Sequence, residues 1–144
     1  MLRNLAVLFA FALVMGVSFS ASAEEGEKGD PDAKHPDFEY IQLDPLTLPV
    51  ITAKGLTQQI SLKVQLEVPY GKRDDVAGYE PRLIDAYLRD LYGQLGAGRG
   101  MMKNNFVDVS AVKQRLTEIT HEVMGEKKED VHEVLLQVLL QRPM

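Results

Sequence analysis

Cysteine is absent from this chain of 144 residues. Its absence excludes a disulfide scaffold, a thiol nucleophile and a thiolate metal site, but it leaves the cellular compartment open. Common catalytic motifs are missing too: there is no glycine–x–serine–x–glycine elbow and no pair of histidines four residues apart. We therefore expect a protein that is not an enzyme and that has no metal and no cofactor.

An excess of positive charge is also lacking. The formal net charge is −5, and it becomes −6 when Arg3 is left out. Residues 24–37 hold six acidic residues and two lysines, which leaves about −2 for the remainder of the chain. A nearly neutral domain binds phosphate backbones poorly. We expect neither nucleic acid nor a small-molecule substrate as a partner.

The first 23 residues have the pattern of an export signal. An apolar run from Leu5 to Phe19 is followed by Ala21 and Ala23, the small residues of a signal peptidase site. As a helix, this run of 15 residues reaches about 22 Å, less than the roughly 30 Å of a hydrocarbon core. Residues 1–23 therefore indicate a cleaved signal peptide, with a retained N-terminal membrane anchor as the alternative. In both cases the remaining chain lies outside the cytoplasm.

Residues 24–37 predict a disordered acidic linker. The segment contains two glycines and two prolines and has no large apolar side chain. It cannot bury enough apolar surface to offset the entropy of ordering. The folded domain is expected from residue 38 to residue 144, which is long enough for one hydrophobic core.

One strand organises the predicted domain. From Ile60 to Val68, apolar side chains alternate with Ser61, Lys63, Gln65 and Glu67. This period of two is typical of a strand with one buried face and one wet face. Sheets that leave one face in water are mostly antiparallel. We therefore predict a half-buried antiparallel strand that needs other elements to cover it.

A second strand is predicted just before it, over residues 40–49. The alternation of apolar side chains changes parity at Pro45, so a kink there would keep both halves on the core side. Proline has no N–H to give to a ladder, which indicates an edge strand. A turn at Thr52–Gly55 would join the two strands as a hairpin.

Two amphipathic helices follow in the sequence. The first is predicted over Glu80–Gly96, with Pro81 in its first turn, where the missing N–H is tolerated. The second is predicted over Val109–Met124, with Asp108 as N-cap and Gly125 as the C-terminal stop. The predicted apolar stripes are Ile84, Leu88, Leu91 and Leu95 with Tyr87 beside them, and Val112, Leu116, Ile119 and Val123. Two such helices suffice to cover one sheet face.

The last apolar stretch, residues 131–141, fits both a helix face and a strand by periodicity. It is short for a helix and follows a charged turn, which favours a strand. The predicted fold class is therefore α+β: a small, mostly antiparallel sheet of about three strands, covered by two amphipathic helices.

Two stretches are expected to lack regular structure. Residues 69–75 are polar and typical of a turn. The glycine-rich residues 96–100 resemble a phosphate-binding loop, but they follow a helix and no lysine–serine pair closes them. Residues 101–105 extend this loop and are a candidate partner contact.

The polar residues that carry chemistry elsewhere are interpreted here as surface residues. Histidine ligands need convergent geometry, and nothing in the sequence specifies it. The two serines have no base nearby in sequence, and a polar turn or an exposed helix face accounts for the aspartates. The residues concerned are His35, His121, His132, Ser61, Ser110, Asp74, Asp75 and Asp85.

Four segments, in the same order, resemble the extracytoplasmic domain of the FliL family of flagellar basal-body-associated proteins. They are the opening at residues 40–46, the alternating strand at 60–67, the helix start at 80–85 and the closing strand at 131–141. The residues that carry the family-like signature are Tyr40, Leu43, Pro45, Pro81, Arg82, Val131 and Val134.

The resemblance implies a fold like that of the stomatin/prohibitin domain and a non-enzymatic role. Members of this family are expected in the periplasm at the inner membrane, where they form homo-oligomeric rings around the flagellar stator and support motor torque and motility. The alternative is a periplasmic accessory or binding protein with this fold and no role in motility. Because the wet face of the central strand offers no apolar patch, we expect self-association through sheet edges and helix faces.

Overall fold

The computed structural model describes residues 36–97 and 100–144. The predicted signal segment, with Ala21 and Ala23, and nearly all of the predicted linker lie outside these residues. The elements in chain order are β1 (Phe38–Gln42), β2 (Leu46–Ile51), β3 (Thr57–Pro69), α1 (Arg73–Ala77), α2 (Glu80–Gln94), β4 (Met102–Lys103), β5 (Phe106–Val107), α3 (Val109–Met124), a 3-10 helix (Gly125–Asp130) and β6 (Glu133–Pro143).

The central strand of the sheet is β3, as predicted. The side chains of Ile60, Leu62, Val64, Leu66 and Val68 are completely buried. Those between them are only partly buried, because the flanking strands surround them on the open face. All of its pairings, with β1, β2 and β6, are antiparallel, and the α+β fold class is confirmed.

Strands β1 and β2 lie one after the other along the same edge of β3. Strand β1 pairs with Gln65–Pro69 and β2 pairs with Thr57–Leu62, while β6 runs along the other edge past both. The kink predicted at Pro45 is the break between them, where Leu43 N donates to Val64 O at 3.0 Å. The sheet thus has four strands in three positions, because the predicted first strand is split.

The turn from β2 to β3 is the predicted hairpin turn. Thr52 Oγ1 accepts a hydrogen bond from Leu56 N at 3.2 Å. Gly55 has φ of +74°, a left-handed conformation that favours glycine. Local turn chemistry therefore sets the register of the hairpin.

Residues 131–141 form a strand and not a helix. Val134, Leu136 and Val138 stand opposite Leu66, Val64 and Leu62, so they extend the apolar face of β3. The pairing of β3 with β6 shifts register between Ser61 and Leu62. From this point on, the side chains of β6 alternate between the two faces of the sheet in the opposite order.

Helices α2 and α3 cover the apolar face of the sheet, with α2 against β2 and α3 against β6. The stripe predicted for α2 is shifted by one residue. Leu83, Tyr87 and Leu91 are fully buried, whereas Ile84 and Leu88 are only partly buried. This helix has apolar residues on both candidate stripes, so period alone did not fix which one faces the sheet.

Helix α3 has the predicted bounds and both predicted ends. Asp108 Oδ1 accepts from Ala111 N at 3.1 Å, and Gly125 follows the last turn with φ of +56°. Val112, Leu116 and Ile119 are buried as expected, but Thr120 and Met124 are buried in place of Val123. The helix therefore faces the core slightly to one side of the predicted stripe.

Removal of the Asp108 cap tests how much this end contributes. We expect Asp108→Ala to lower the free energy of unfolding by about 1 kcal/mol, because a helix N–H loses its acceptor. Chemical denaturation is the measurement. Asp108→Asn is the matched control and should lose far less; equal losses in both variants would contradict a capping role.

Two expectations for irregular structure were wrong in part. The predicted turn at 69–75 contains the start of α1, whose Val76 is fully buried against the core. The predicted loop at 101–105 contains β4, which pairs with β5 as a short hairpin. Asn104 and Asn105 have positive φ at its turn, which asparagine tolerates better than most residues. None of the helices in the described ranges is long and apolar enough to span a membrane.

Candidate interaction surfaces

The signature residues do not form one site. Leu43, Val131 and Val134 are buried in the core, and Pro45 lies in the break between β1 and β2. These four positions shape the edge strand and the closing strand. Their roles in the structure are therefore in packing and strand geometry.

Tyr40 is the signature residue on the open face of the sheet, where it is 48% exposed. It stands opposite Glu67 on β3. The pKa of Tyr40 is raised, chiefly because its hydroxyl interacts with the Glu67 carboxylate. His132 Nδ1 donates to the same carboxylate at 2.8 Å, and its ring packs on Phe38 with centroids 4.5 Å apart. His132 is therefore exposed, as predicted, but it is held by two contacts.

Glu133 extends this group of polar residues on the open face. Lys113 of α3 binds its carboxylate at 2.5 Å. This ion pair is the main reason that the pKa of Glu133 is lowered. A helix residue is thereby tied to the start of β6. Hydrogen bonds and charge thus connect five side chains, namely Tyr40, Glu67, His132, Glu133 and Lys113.

Pro81 and Arg82 lie on the exposed surface of the first turn of α2. The Arg82 guanidinium carbon is 5.7 Å from the centroid of the Tyr79 ring. This is the geometry of a cation–π contact. It steadies the start of the helix, and it leaves the side chain at the surface.

A groove of about 460 Å³ runs along the outside of the α2–α3 pair. Arg115 binds both carboxylate oxygens of Asp90, at 2.6 to 3.1 Å, and it also binds Glu118 at 3.0 Å. The hydrogen bonds to Asp90 are the main cause of a raised pKa for Arg115. The positive charge of this arginine is thus already matched by carboxylates, so the groove does not offer it to an anion.

Of the polar residues that sequence analysis assigned to the surface, Ser110 and His121 line one groove of about 500 Å³ along α3, whereas others have separate local partners. Ser61 Oγ contacts Thr47 Oγ1 at 3.3 Å. Asp75 pairs with Lys72 at 3.5 Å, and Asp85 pairs with Arg89 at 2.6 Å. Among residues 36–97 and 100–144, no cluster of three or more His, Asp or Glu side chains has the geometry to hold a metal ion. His35 lies outside the described residues.

One surface was not predicted: an end of the sheet that exposes apolar side chains. We call it the apolar end and define it by Ile51, Leu56, Phe106, Leu139 and Leu140, which are all exposed. They lie where β2 and β6 end, where β3 begins and on the β4–β5 hairpin. These side chains come from three separate segments of the chain, namely the β2–β3 hairpin, the β4–β5 hairpin and β6. No local pattern in the sequence therefore brings them together.

The fold defines a class: a two-layer α+β domain, with an antiparallel sheet on one side and a pair of helices on the other. Comparisons of the chain with protein-family models, with curated proteins and with solved structures gave no match. The resemblance to the FliL family therefore stays a prediction that rests on the sequence segments.

Proposed function

We propose that this chain is a non-enzymatic protein of the flagellar basal body. In this proposal it resides in the periplasm at the inner membrane, associates with copies of itself and with stator proteins, and supports motor torque. Its domain would be of the stomatin/prohibitin-like type. The proposal rests on four sequence segments that resemble the FliL family in the right order.

The observation that supports this proposal best is the asymmetry of the two-layer fold. The helices cover one face of the sheet, while the face with Ser61, Lys63, Gln65 and Glu67 has no helix over it in the described part of the chain. Strand β6 also has a free edge over its eleven residues, since it pairs only with β3 among the described strands. Open faces and edges of this kind are surfaces for protein contacts.

The alternative is a periplasmic accessory or binding protein without a role in motility. The groove along the α2–α3 pair is the feature that favours it, because its lining combines Ala86, Gly93 and Val123 with charged side chains. A groove of this size lies within the range of small-molecule sites.

The proposal predicts that a strain of the source organism without this chain swims more slowly and generates less motor torque. The full chain should restore both, whereas a chain that lacks Leu5–Ala23 should not, because it would remain in the cytoplasm. Swimming speed and tethered-cell rotation are the measurements.

A matched control separates loss of export from loss of folding. The chain without Leu5–Ala23, given an unrelated export signal, should restore motility. Normal swimming and torque in the deletion strain would overturn the flagellar role and favour the accessory protein.

A further inference from the structure

The apolar end holds five of the ten exposed large apolar side chains in the described part of the chain. Phe106 is 67% exposed and Leu56 is 59% exposed, more than any other large apolar side chain except the last residue, Met144. Apart from Met144, the exposed large side chains outside this end are Val109 and the tyrosines Tyr40, Tyr70 and Tyr92, and the hydroxyl groups of the tyrosines are compatible with water. Such a concentration of apolar side chains marks an interaction site.

Gln141, a partly buried residue near the end of β6, holds in place the two segments that carry Phe106 and Leu56. Its Oε1 accepts from Val107 N at 3.2 Å, and its Nε2 donates to Asn105 O at 2.7 Å and to Gln58 Oε1 at 2.6 Å. The β4–β5 hairpin and the start of β3 are therefore tied to the end of β6. Phe106 in β5 and Leu56 just before β3 thus belong to segments that are both fixed to the sheet through Gln141.

Positive charges without ion-pair partners flank these apolar side chains. Lys54 lies in the turn beside Leu56, and Lys103 stands opposite Phe106 in the hairpin. Neither lysine has a carboxylate within ion-pair distance among the described residues. The nearby Asp108 is engaged as the cap of α3. The apolar end is thus cationic, although the chain as a whole carries a net negative charge.

We propose that the apolar end docks on a bilayer surface that contains anionic lipids. Leu56 and Phe106 would enter the boundary between headgroups and acyl chains, while Lys54 and Lys103 would lie beside lipid phosphates. Apolar side chains together with adjacent lysines are what binds proteins to anionic membrane surfaces. The inference rests on the proposed function only in placing the domain beside a membrane.

Charge favours a bilayer over a second copy of the chain at this surface. Two apolar ends in contact would bring Lys54 and Lys103 of both copies together, which like-charge repulsion opposes. Leu56 lies in the turn before β3 and Phe106 in the short β4–β5 hairpin, so these two side chains project from tight connections and suit insertion into a fluid boundary.

The absence of tryptophan from the chain allows a direct test. Full-length Phe106→Trp and Leu56→Trp proteins are reconstituted with vesicles of phosphatidylcholine and phosphatidylglycerol that contain brominated acyl chains. We expect the emission of both probes to shift to shorter wavelength and to be quenched. Tyr70→Trp, at an exposed position at the opposite end of β3, is the control and should show neither change. Each probe reports only its own surroundings, so binding by the apolar run at Leu5–Phe19 does not obscure the result.

The charge requirement has its own matched pair of variants. In the Phe106→Trp background, Lys54→Gln with Lys103→Gln should lower the ratio of docked to undocked protein by about fivefold for each lysine. Lys127→Gln with Lys128→Gln, which removes two exposed lysines from the 3-10 helix at the other end, should leave the ratio unchanged. Thermal melting of each variant confirms that the substitutions leave the fold intact.

Three outcomes would overturn the proposal. They are an unshifted Phe106→Trp emission on anionic vesicles, equal shifts on vesicles of phosphatidylcholine alone, and a shift without lipid that grows with protein concentration. The last would assign the surface to a second copy. The motility assay is independent: normal swimming of the deletion strain together with quenched probes would reject the flagellar role and support the docking surface.

Discussion

Val64→Asp is expected to lower the free energy of unfolding by about 3–5 kcal/mol. Val64 is completely buried at the middle of β3, between Leu136 on β6 and the break in the opposite edge. A carboxylate there would lose its water and gain no charged partner, which is among the most costly changes a core accepts. Urea denaturation followed by circular dichroism is the measurement. The loss is a large share of the total for a domain of this size, roughly 5–15 kcal/mol.

Gln65→Asp is the control for this prediction. Gln65 is the next residue of the same strand, so backbone propensity is nearly matched, but its side chain lies on the open face with Lys63 two residues away. We expect a change within about 0.5 kcal/mol, as for most surface substitutions. If Val64→Asp melted like the unsubstituted protein, the assignment of the buried face would be wrong.

A rise in pH above 10 is expected to lower the stability by about 3 kcal/mol through Tyr87 alone. Burial raises the pKa of Tyr87 from 10.0 to about 12, so the folded state favours the neutral phenol. This contribution is complete below pH 10, the unfolded value, and is lost as the pH rises through 12. Two pKa units correspond to about 3 kcal/mol. The measurement is urea denaturation at a series of pH values from 8 to about 12.

Tyr87→Phe isolates this effect from the titration of lysines and other tyrosines. Tyr87 donates to Thr120 Oγ1 at 2.6 Å, and Thr120 donates to Leu116 O at 2.7 Å. The threonine therefore keeps a partner in the variant, and we expect a cost of only about 1 kcal/mol at neutral pH. The decline above pH 10 should become shallower. Tyr92→Phe, at an exposed position, should keep the full decline; identical curves for all three proteins would refute a role for Tyr87.

The elements that could be predicted from the sequence are those specified by neighbouring residues. The alternation in β3, the parity change at Pro45 and the Asp108 and Gly125 ends of α3 each depend on side chains within a few positions of one another. Local chemistry decides such features, because the groups that satisfy the backbone come from the same segment.

The features that were missed depend on distant residues. The β4–β5 hairpin is held by Gln141, which is 36 residues from Asn105. The short helix α1 is stabilised by the burial of Val76, since five residues are too few to form a helix alone. The facing of α2 was off by one residue because two apolar stripes compete until the sheet selects one. The candidate surfaces follow the same rule: the apolar end exists only after three segments meet.

The central position of β3 also sets the order in which the domain can be completed. The side chain of Gln58 meets that of Gln141 across 83 residues of sequence, so one edge of β3 stays open until the final strand is available. Contacts of such long range slow folding, because a large loop must close before they form. A newly made chain would therefore hold β3 with one edge unpaired until β6 has been made, and this interval is when it is most exposed to aggregation or to a chaperone.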